Sequence, residues 1–426
     1  MFEVKEKPKL VERAFLISVI RREDEREEAE SLLKELSELV GNLGIEVCWE
    51  TVVRVRKTFP GHILGKGKLK EVVNQVGELN CDVIIFDNEI SPGQQRNWEE
   101  EAKVLVIDRH EVILDVFATR AQTKEARLQV RLARLEYSLP RLRRAWTHLG
   151  RQRGGGVTQR GEGEAQIELD QRMLRDKIAS TKREIAQVSV RRSTGRKKRQ
   201  RIPLRTLAIV GYTNAGKSTL LNYMTGAQVL SEDKLFATLD PTSRKVRLPS
   251  GRTVVLTDTV GFIRKLPHRL VDAFKATLEE ALVADLLLHI VDLSNPEFAK
   301  QMETTVEVLK ELGGADKEIL TVYNKVDRVD DPVTKANAKI LVGECSFLSA
   351  KTGFGIESLL ELIENKLDEG EVAQDYLIPH ELYSLVSKLR EQGSLLAEEV
   401  VETGVSVKAT PRGSLAYQIK EFLDPS

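Results

Sequence analysis

The sequence predicts a multidomain α/β protein in which one domain has a doubly wound, mainly parallel sheet. The chain has 426 residues, which is more than a single ordinary domain holds. Buried-strand patterns alternate with amphipathic helical patterns before residue 118 and again after residue 203. The stretch between these regions has only helical periodicity. We therefore expect two α/β domains separated by a helical segment.

The N-terminal region, residues 1–118, is predicted to form an α/β domain. Its apolar runs indicate buried strands, and Leu32, Leu36 and Leu39 recur on one helix face. Strands are predicted at 14–20, 45–55, 82–87 and 103–108, with a further helix near 67–77.

The segment 61–67 (GHILGKG) in that region superficially resembles a phosphate-binding loop. Its glycine spacing is too short, and glycine follows Lys66 where a metal-binding hydroxyl belongs. A second nucleotide site there is an alternative that the sequence leaves open. The preferred interpretation is a turn between a strand and a helix.

The middle region, residues 119–202, is predicted to form an antiparallel pair of helices. Leucines recur at alternating steps of four and three, the spacing of a coiled-coil seam, at Leu128, Leu132, Leu135, Leu139 and Leu142. Pro140 is expected to kink this helix or to end it early. A second helix is expected at about 165–190. The glycine-rich segment 150–163 cannot form a stable helix and predicts a loop, and a basic linker follows at 191–201.

A phosphate-binding loop is predicted at 211–218 (GYTNAGKS), which fits the pattern GxxxxGK followed by Ser or Thr. It follows an apolar strand and opens a helix. Glycines let the backbone wrap phosphates, and N–H groups at a helix start point toward the anion. We expect Lys217 to reach the β- and γ-phosphates and Ser218 to bind Mg²⁺. The nucleotide-binding residues predicted here are Gly211, Tyr212, Thr213, Asn214, Ala215, Gly216, Lys217, Ser218 and Thr219.

Three later motifs, each after a predicted strand, complete a guanine-nucleotide site. Asp258 is expected to hold Mg²⁺ through water, and the Gly261 amide to sense the γ-phosphate. The Asp327 carboxylate can accept from the guanine N1 and N2 hydrogens, a donor pair that adenine does not supply. A backbone N–H at 349–351 can reach the guanine oxygen. The base-binding residues predicted are Asn324, Lys325, Asp327, Ser349, Ala350 and Lys351. Together these motifs predict a P-loop GTPase domain, residues 203–368, that binds GTP and GDP.

The segment 235–242 (LFATLDPT) is predicted to supply a second Mg²⁺ ligand that becomes ordered when the γ-phosphate is present. Thr238 is the preferred ligand and Thr242 is the alternative. The predicted metal ligands are therefore Ser218, Thr238 and Asp258. The predicted catalytic residues are Lys217, Thr238 and Gly261.

Phe262 stands where many GTPases have a glutamine that orients the attacking water. Because phenylalanine cannot do this, we expect slow intrinsic hydrolysis that a partner accelerates. Asn214 is a position at which several GTPases without that glutamine hold K⁺ beside the phosphates. Activation by K⁺ is thus a further possibility, with the cation supplying transition-state charge.

Composition excludes several other classes of protein. The formal net charge is zero, so the total charge predicts no general attraction to DNA or RNA. The three cysteines, Cys48, Cys81 and Cys345, lack the spacing of a zinc site or a disulfide framework. No apolar run is long enough to span a membrane, and the N-terminus lacks a signal-peptide core. We expect a cytoplasmic, monomeric protein. Residues 372–426 predict a small α+β domain with a helix at 380–391 and a strand-like stretch at 399–409.

The chain resembles the HflX family of translational GTPases over nearly its whole length. The resemblance rests on 61–72, 84–97, 106–130, 135–142 and 151–170, and on the segments FATLDPTSR and DTVGFIRKLP. It implies a cytoplasmic GTPase that binds the large ribosomal subunit and its rRNA near the peptidyl-transferase centre through the N-terminal domain and the hairpin. It also implies a role in splitting stalled or idle ribosomes.

The stretch 141–160 gives independent support for RNA contact. It carries six arginines and no acidic residue: Arg141, Arg143, Arg144, Arg151, Arg153 and Arg160. The alternative is a solvated hairpin tip. Two interpretations stay open for the run 191–201, an rRNA contact and a charged linker. Two other functions stay open, an RNA-maturation or tRNA-modification GTPase and an ATP-using RNA-remodelling factor. The second would require nucleotide binding at 61–67.

Overall fold

The computed structural model describes residues 11–145, 169–188, 204–226, 235–236, 241–265, 281–368, 373–391, 394–411, 415 and 418–423. These residues belong to two compact units. The first unit draws on 1–188, 234–239 and 264–274, and the second on 189–233, 240–263 and 275–426. Within the described residues, no helix is both long enough and apolar enough to cross a membrane.

The first unit is built on a parallel sheet. Its strands are β1 (Arg13–Ile20), β2 (Glu46–Arg54), β3 (Val83–Phe86) and β4 (Leu105–Asp108). They form a four-stranded sheet in the order β2-β1-β3-β4. β3 is buried along its whole length, as expected for an inner strand covered on both faces. The four predicted strands are confirmed.

Helices follow each strand of this sheet. They are α1 (Arg26–Asn42), α2 (Lys66–Glu78), α3 (Pro92–Ala102) and α4 (Arg109–Arg120). Ser91 begins α3 in a capping box with Gln94, and the Asp108 carboxylate accepts from the Glu111 N–H to begin α4. Before α2, Phe59 and Ile63 form an antiparallel bridge. The segment 61–67 is therefore a turn and a helix start, as the preferred interpretation has it.

Two long helices of this unit come from the middle region. α5 (Lys124–Ala145) and α6 (169–188) are joined by an ion pair between Lys182 and Glu136 at 2.8 Å. α5 continues through Pro140 to Ala145, so the expectation that the proline could end the helix early was wrong. Proline removes a single backbone hydrogen bond, and its fixed φ suits a helix. The predicted loop 150–163 and the basic run 191–201 lie outside the described residues.

Asp108 anchors α5 to the carboxyl end of β4. Its carboxylate accepts from the Tyr137 hydroxyl at 2.8 Å and from Arg141 at 3.1 Å. The guanidinium of Arg141 also lies 3.4 Å from the centroid of the Tyr137 ring. Arg141 was predicted to contact RNA, but here it forms an internal ion pair. The ion pair between Arg141 and Asp108 holds α5 against the end of β4.

A buried charged cluster, the Arg109 cluster, lies in the same unit. Arg109 binds Glu35, and it binds Asp87 at 2.8 Å. Each acid has a second basic partner, Arg264 at 3.3 Å from Glu35 and Lys265 at 2.6 Å from Asp87. Two carboxylates thus bind three cations, so no acidic charge in the cluster is left without a cation.

The second unit contains a larger sheet. Its strands are β5 (Thr206–Gly211), β6 (Thr242–Arg247), β7 (Thr253–Asp258), β8 (Leu286–Asp292), β9 (Ile319–Asn324) and β10 (Cys345–Phe347). They form a six-stranded sheet in the order β10-β9-β8-β5-β7-β6. Only the β6–β7 pair is antiparallel. The helices of this second unit are α7 (Lys217–Thr225), α8 (Phe298–Glu311), α9 (Pro332–Val342) and α10 (Ile356–Asp368). This confirms the doubly wound, mainly parallel sheet.

A small antiparallel sheet ends the chain. It consists of β11 (Gln374–Ile378), β12 (Leu395–Val401) and β13 (Gly404–Ala409), in the order β11-β13-β12, with the helix α11 (Tyr383–Glu391). The predicted helix is present. The prediction of a single strand-like stretch at 399–409 was wrong in detail, because these residues include the turn of a hairpin between β12 and β13.

Candidate functional site

The four predicted nucleotide motifs lie at the carboxyl ends of neighbouring strands in the second unit. The loop 211–218 follows β5, Asp258 ends β7, Asn324 ends β9, and Ser349 follows β10. β5 lies between β7 and β8. The strand order in the sheet therefore reverses direction at β5. Such a reversal point opens a crevice beyond the strand ends, which is where ligands bind in open α/β sheets.

The loop 211–218 has a backbone that depends on glycine at two positions. Gly211 has φ of 146° and Gly216 has φ of 94°. A Cβ at Gly211 would collide with the Ile290 carbonyl, and one at Gly216 would collide with the Asn324 amide. Asn214 adopts φ of 59°, a left-handed conformation that Asn tolerates well. The loop is therefore packed too closely for side chains at either glycine.

Lys217 is a buried amine at the start of α7. Its exposed fraction is 6%, and its Nζ donates to the Tyr212 carbonyl at 2.7 Å. Burial lowers the pKa of Lys217 to about 8, although the charge of Asp258 acts in the opposite direction. A desolvated ammonium with one neutral acceptor gains most from an added anion. This arrangement can therefore bind a phosphate strongly.

Ser218 and Asp258, two of the predicted metal ligands, lie within hydrogen-bonding distance of each other. The Ser218 hydroxyl donates to Asp258 Oδ2 at 2.7 Å. Both oxygen ligands are of the type that Mg²⁺ prefers. Thr242, the alternative ligand, begins β6 in register with Asp258 on β7. Thr238, the preferred ligand, lies outside the described residues.

The segment after Asp258 is bound directly to the phosphate-binding loop. The Thr213 N–H donates to the Phe262 carbonyl at 2.8 Å, and the Phe262 N–H donates to the Gly211 carbonyl at 3.1 Å. A Cβ at Gly261 would lie 2.9 Å from both Lys217 Nζ and Thr213 Cα. Glycine is thus required at 261 for this close approach. The Phe262 ring is 1% exposed, so it packs in the core.

Asn324 connects the phosphate-binding loop to the loop after β10. Its Nδ2 donates to the Ala215 carbonyl at 2.8 Å, and its Oδ1 accepts from the Ala350 N–H at 2.9 Å. The side chain is 2% exposed. Both polar ends of this amide are therefore bound to protein groups, an arrangement that fixes the spacing between two loops.

Lys325 and Asp327 project from the turn after β9. Lys325 adopts φ of 63°, and its Nζ lies 2.8 Å from Asp292 Oδ2. Asp327 is exposed, and a hydrogen bond from the Ser349 hydroxyl lowers its pKa. The carboxylate is therefore ionised at neutral pH. An ionised, accessible carboxylate can accept two N–H groups from one ligand edge.

Two residues of this site were not found by sequence reasoning. Asp292 ends β8 and orients Lys325, and its only sequence signal is a carboxylate at a strand end. His289 is buried in the middle of β8, where burial and the Lys217 charge lower its pKa to about 4. A lone histidine in an apolar strand carries no signal that distinguishes it from other core residues.

Comparisons with known proteins give a consistent assignment. Family models described as GTP-binding GTPase N-terminal, GTP-binding GTPase middle region and 50S ribosome-binding GTPase match residues 30–118, 120–199 and 206–325. The GTPase HflX of Akkermansia muciniphila is 46% identical over 99% of this chain and 99% of its own length. The chain belongs to the HflX family of GTPases. It therefore binds guanine nucleotides and hydrolyses GTP.

Other members of the HflX family match over most of the chain. The GTPase HflX of Escherichia coli is 40% identical over 92% of this chain and 92% of its own length. Among solved structures, the chain is similar to the GDP complex of SsGBP at 25% identity, over 83% of this chain and 98% of that one, with a TM-score of 0.47. The family assignment is based on the sequence relatives.

Proposed function

We propose that this HflX-family GTPase is a Mg²⁺-dependent switch that binds the large ribosomal subunit and its rRNA in the GTP state and dissociates stalled or idle ribosomes. The observation that carries the nucleotide part is the Asn324 amide, which ties the loop 211–218 to the loop containing Ala350. The loop that would bind the triphosphate and the loop that would contact the base are thereby held at a fixed distance. A nucleoside triphosphate would bridge these two loops.

The phosphate end would be bound by backbone amides of 211–218 and by Lys217. Burial disfavours the charged form of Lys217, and a bound phosphate would stabilise that form by placing an anion beside the ammonium. Ser218 would coordinate Mg²⁺ directly and Asp258 through water, because both oxygens already meet at 2.7 Å. Thr238 would complete the metal site when the γ-phosphate is present, and Gly261 would report that phosphate through its amide.

The base end would be read by Asp327. Its lowered pKa keeps it an acceptor, so it selects a ring that offers two adjacent N–H donors. Ser349, Ala350 and Lys351 would supply the backbone donor to the guanine oxygen. Lys325, held by Asp292 at 2.8 Å, would form one wall of the base pocket. These features favour GTP over ATP.

Intrinsic hydrolysis would be slow, because Phe262 is buried and cannot orient water. Asn214 is exposed on the phosphate-binding loop, which supports a role in holding K⁺ beside the phosphates. Equal GTPase rates in K⁺ and Na⁺ would exclude that role. The ribosome would supply the acceleration.

Binding to the large subunit is supported by the family model that matches 206–325, whose description is a 50S ribosome-binding GTPase. Residues 1–118 would form an N-terminal domain, 119–202 the hairpin with its basic linker, 203–368 the GTPase domain and 372–426 a C-terminal domain. The arginines Arg143, Arg144, Arg151, Arg153 and Arg160 would contact rRNA phosphates. Cytoplasmic localisation and a monomeric state follow as part of the same proposal.

Co-sedimentation with separated ribosomal subunits tests this function. The full chain should pellet with the large subunit in a non-hydrolysable GTP analogue and remain in solution with GDP. Lys217→Ala is the matched control that should abolish the difference. Retention that is equal with both nucleotides, or retention on the small subunit alone, would refute the proposal.

A deletion of 150–163 tests the role of the hairpin loop. We expect the variant to bind GDP normally and to lose ribosome stimulation of GTP hydrolysis. Unchanged stimulation would show that this loop is not the contact. ATP hydrolysis that survives Lys217→Ala would instead favour the remodelling factor with a second nucleotide site.

A further inference from the structure

Tyr223 is an exposed aromatic residue that packs against the loop after β10. It lies on α7, the helix that begins at Lys217, and its exposed fraction is 50%. A Cβ at Gly353 would overlap the Tyr223 hydroxyl and the ring carbon that carries it, so the Gly353 backbone lies directly against the phenol. The helix that begins at the phosphate-binding loop therefore also contacts the loop proposed to read the base.

The loop 349–355 is a closed turn that depends on two glycines. Gly353 has φ of 86° and Gly355 has φ of 77°. The Gly353 N–H donates to the Ser349 carbonyl at 2.8 Å, and the Ser349 N–H donates to the Phe354 carbonyl at 3.0 Å. Glycine loses more conformational freedom on ordering than any other residue, so this closed turn is costly to fix. A side chain that holds Gly353 in place therefore stabilises the closed form.

Two of the three backbone N–H groups at 349–351 already have acceptors. The Ser349 N–H is bound within the loop, and the Ala350 N–H donates to Asn324 Oδ1 at 2.9 Å. The Lys351 N–H has no acceptor among the residues that the structure describes. Two residues separate Lys351 from Gly353, a span of at most about 7 Å. The available donor is therefore close to the point at which Tyr223 holds the loop.

We propose that Tyr223 is a positioning residue for base recognition, and that it acts through Gly353 on the Lys351 N–H, which binds the guanine oxygen. The inference rests on the proposed function, in which Asp327 and the loop 349–351 read the base. The buried Asn324 amide holds this loop at Ala350, and Tyr223 holds it from the exposed side at Gly353. A hydrogen bond weakens steeply when its donor moves out of line, so a loop released at Gly353 binds the oxygen less well.

Three nucleoside diphosphates separate the contact with the guanine oxygen from the other base contacts. GDP offers the oxygen and both N–H donors. Inosine diphosphate keeps the oxygen and lacks the amine that Asp327 would bind. 6-Thioguanosine diphosphate keeps both N–H donors and carries sulfur, a weak acceptor, in place of the oxygen. Loss of Tyr223 should therefore weaken GDP and inosine diphosphate equally, and the sulfur analogue less.

The test measures the affinity of the full chain for each diphosphate by calorimetry. Tyr223→Ala should weaken GDP and inosine diphosphate about tenfold, and the sulfur analogue by about twofold or less. Tyr223→Phe is the matched variant and should stay within about twofold of the wild type, because ring carbons also lie against Gly353. In Tyr223→Ala the KM for GTP should rise while kcat is unchanged, since the reaction occurs at the phosphates. Thermal unfolding without nucleotide checks that each variant is folded.

Gly353→Ala tests the same contact from the side of the loop. Its Cβ would overlap the phenol of Tyr223, and a φ of 86° is strained for alanine, so GDP affinity should fall. In the Tyr223→Ala background the overlap is gone, and Gly353→Ala should cost a smaller factor in affinity. Additive effects of the two substitutions would contradict a direct contact that matters for binding.

Several outcomes would overturn the role of Tyr223. They are an unchanged GDP affinity in Tyr223→Ala, equal losses for all three diphosphates, and a loss in Tyr223→Phe as large as in Tyr223→Ala. Failure of the proposed function has a different signature, because Lys217→Ala would then keep its GDP affinity and Asp327→Asn its base preference. If those two variants behave as expected and the Tyr223 variants do not, only this inference fails.

Discussion

Lys265 Nζ lies 2.6 Å from Asp87 Oδ2, while Arg109 binds the other oxygen of the same carboxylate at 2.8 Å. Asp87 is fully buried, and Lys265 is 42% exposed. The two cations therefore contribute unequally to compensating the buried charge of Asp87. Arg109 compensates the buried charge from inside, whereas solvent screens part of the Lys265 interaction.

Replacing Arg109 with Leu should destabilise the first unit by about 3 kcal/mol, because Glu35 and Asp87 would keep their charges in a buried site. Lys265→Ala should cost less, about 1 kcal/mol, since its ammonium is partly hydrated. Native-state hydrogen exchange of the β1 and β3 amides measures both effects. If Arg109→Leu leaves their protection unchanged, Arg109 does not stabilise this unit.

Nucleotide affinity should depend on pH through Lys217. Burial puts the pKa of Lys217 at about 8 in the nucleotide-free protein, so the amine is charged below that pH and largely neutral above it. A bound phosphate favours the charged form and raises this pKa. GDP affinity should therefore fall by up to about tenfold per pH unit above the free-protein pKa.

Calorimetry in buffers of different ionisation enthalpy checks this linkage. GDP binding at a pH just above the pKa of about 8 should take up a proton, and Lys217→Ala should abolish both the uptake and most of the affinity. Proton release on binding would have the wrong sign and would contradict the lowered pKa.

Asp327→Asn should change the base preference of the site from guanine to xanthine. Asparagine cannot accept from both guanine N–H groups, but its NH₂ can donate to the carbonyl that xanthine carries in place of the guanine amine. We expect GTP affinity to fall by about 100-fold and XTP to bind instead. Fluorescent-nucleotide competition measures both. Asp331→Asn is a control, because Asp331 caps α9 and should not alter base preference.

Asn324→Ala should destabilise the second unit and weaken nucleotide binding together. The variant leaves the Ala215 carbonyl and the Ala350 N–H without their present partner in a buried site. We expect a loss of about 1–3 kcal/mol. Thermal unfolding with and without GDP measures it. A variant with normal stability and only reduced affinity would show that Asn324 contacts the nucleotide and does not position the loops.

The sequence predicted the parts of the fold that depend on periodicity and local backbone chemistry. β1, β3 and β5 are apolar runs, and the loop 211–218 has a glycine pattern whose conformational reason is visible at Gly211 and Gly216. The wrong expectations arose where tertiary packing decides. Pro140 sits inside α5, where Tyr137 and Arg141 on either side of it both bind Asp108.

Long-range side-chain partnerships could not be predicted from the sequence. Arg141 looked like an RNA contact because of its basic neighbours, but Asp108 binds it across 33 positions of chain. Asn324 was recognised as part of a base-binding motif, yet the hydrogen bond of its amide to Ala215 spans 109 positions. Such contacts depend on which strands become neighbours, and a single sequence does not encode that order locally.

His289 should make the second unit acid-sensitive. Burial holds the pKa of His289 at about 4, below its ordinary value of 6.5, so the unfolded chain binds the extra proton between these two values. Stability is present above the unfolded pKa and is lost as pH falls toward the folded pKa, by about 3 kcal/mol in total. His289→Gln removes the titration at similar size, so the difference between the two proteins isolates this group from acid-sensitive carboxylates. Urea unfolding followed at several pH values through this interval should show the wild type losing stability relative to the variant. Parallel curves would mean that His289 is not kept neutral by burial.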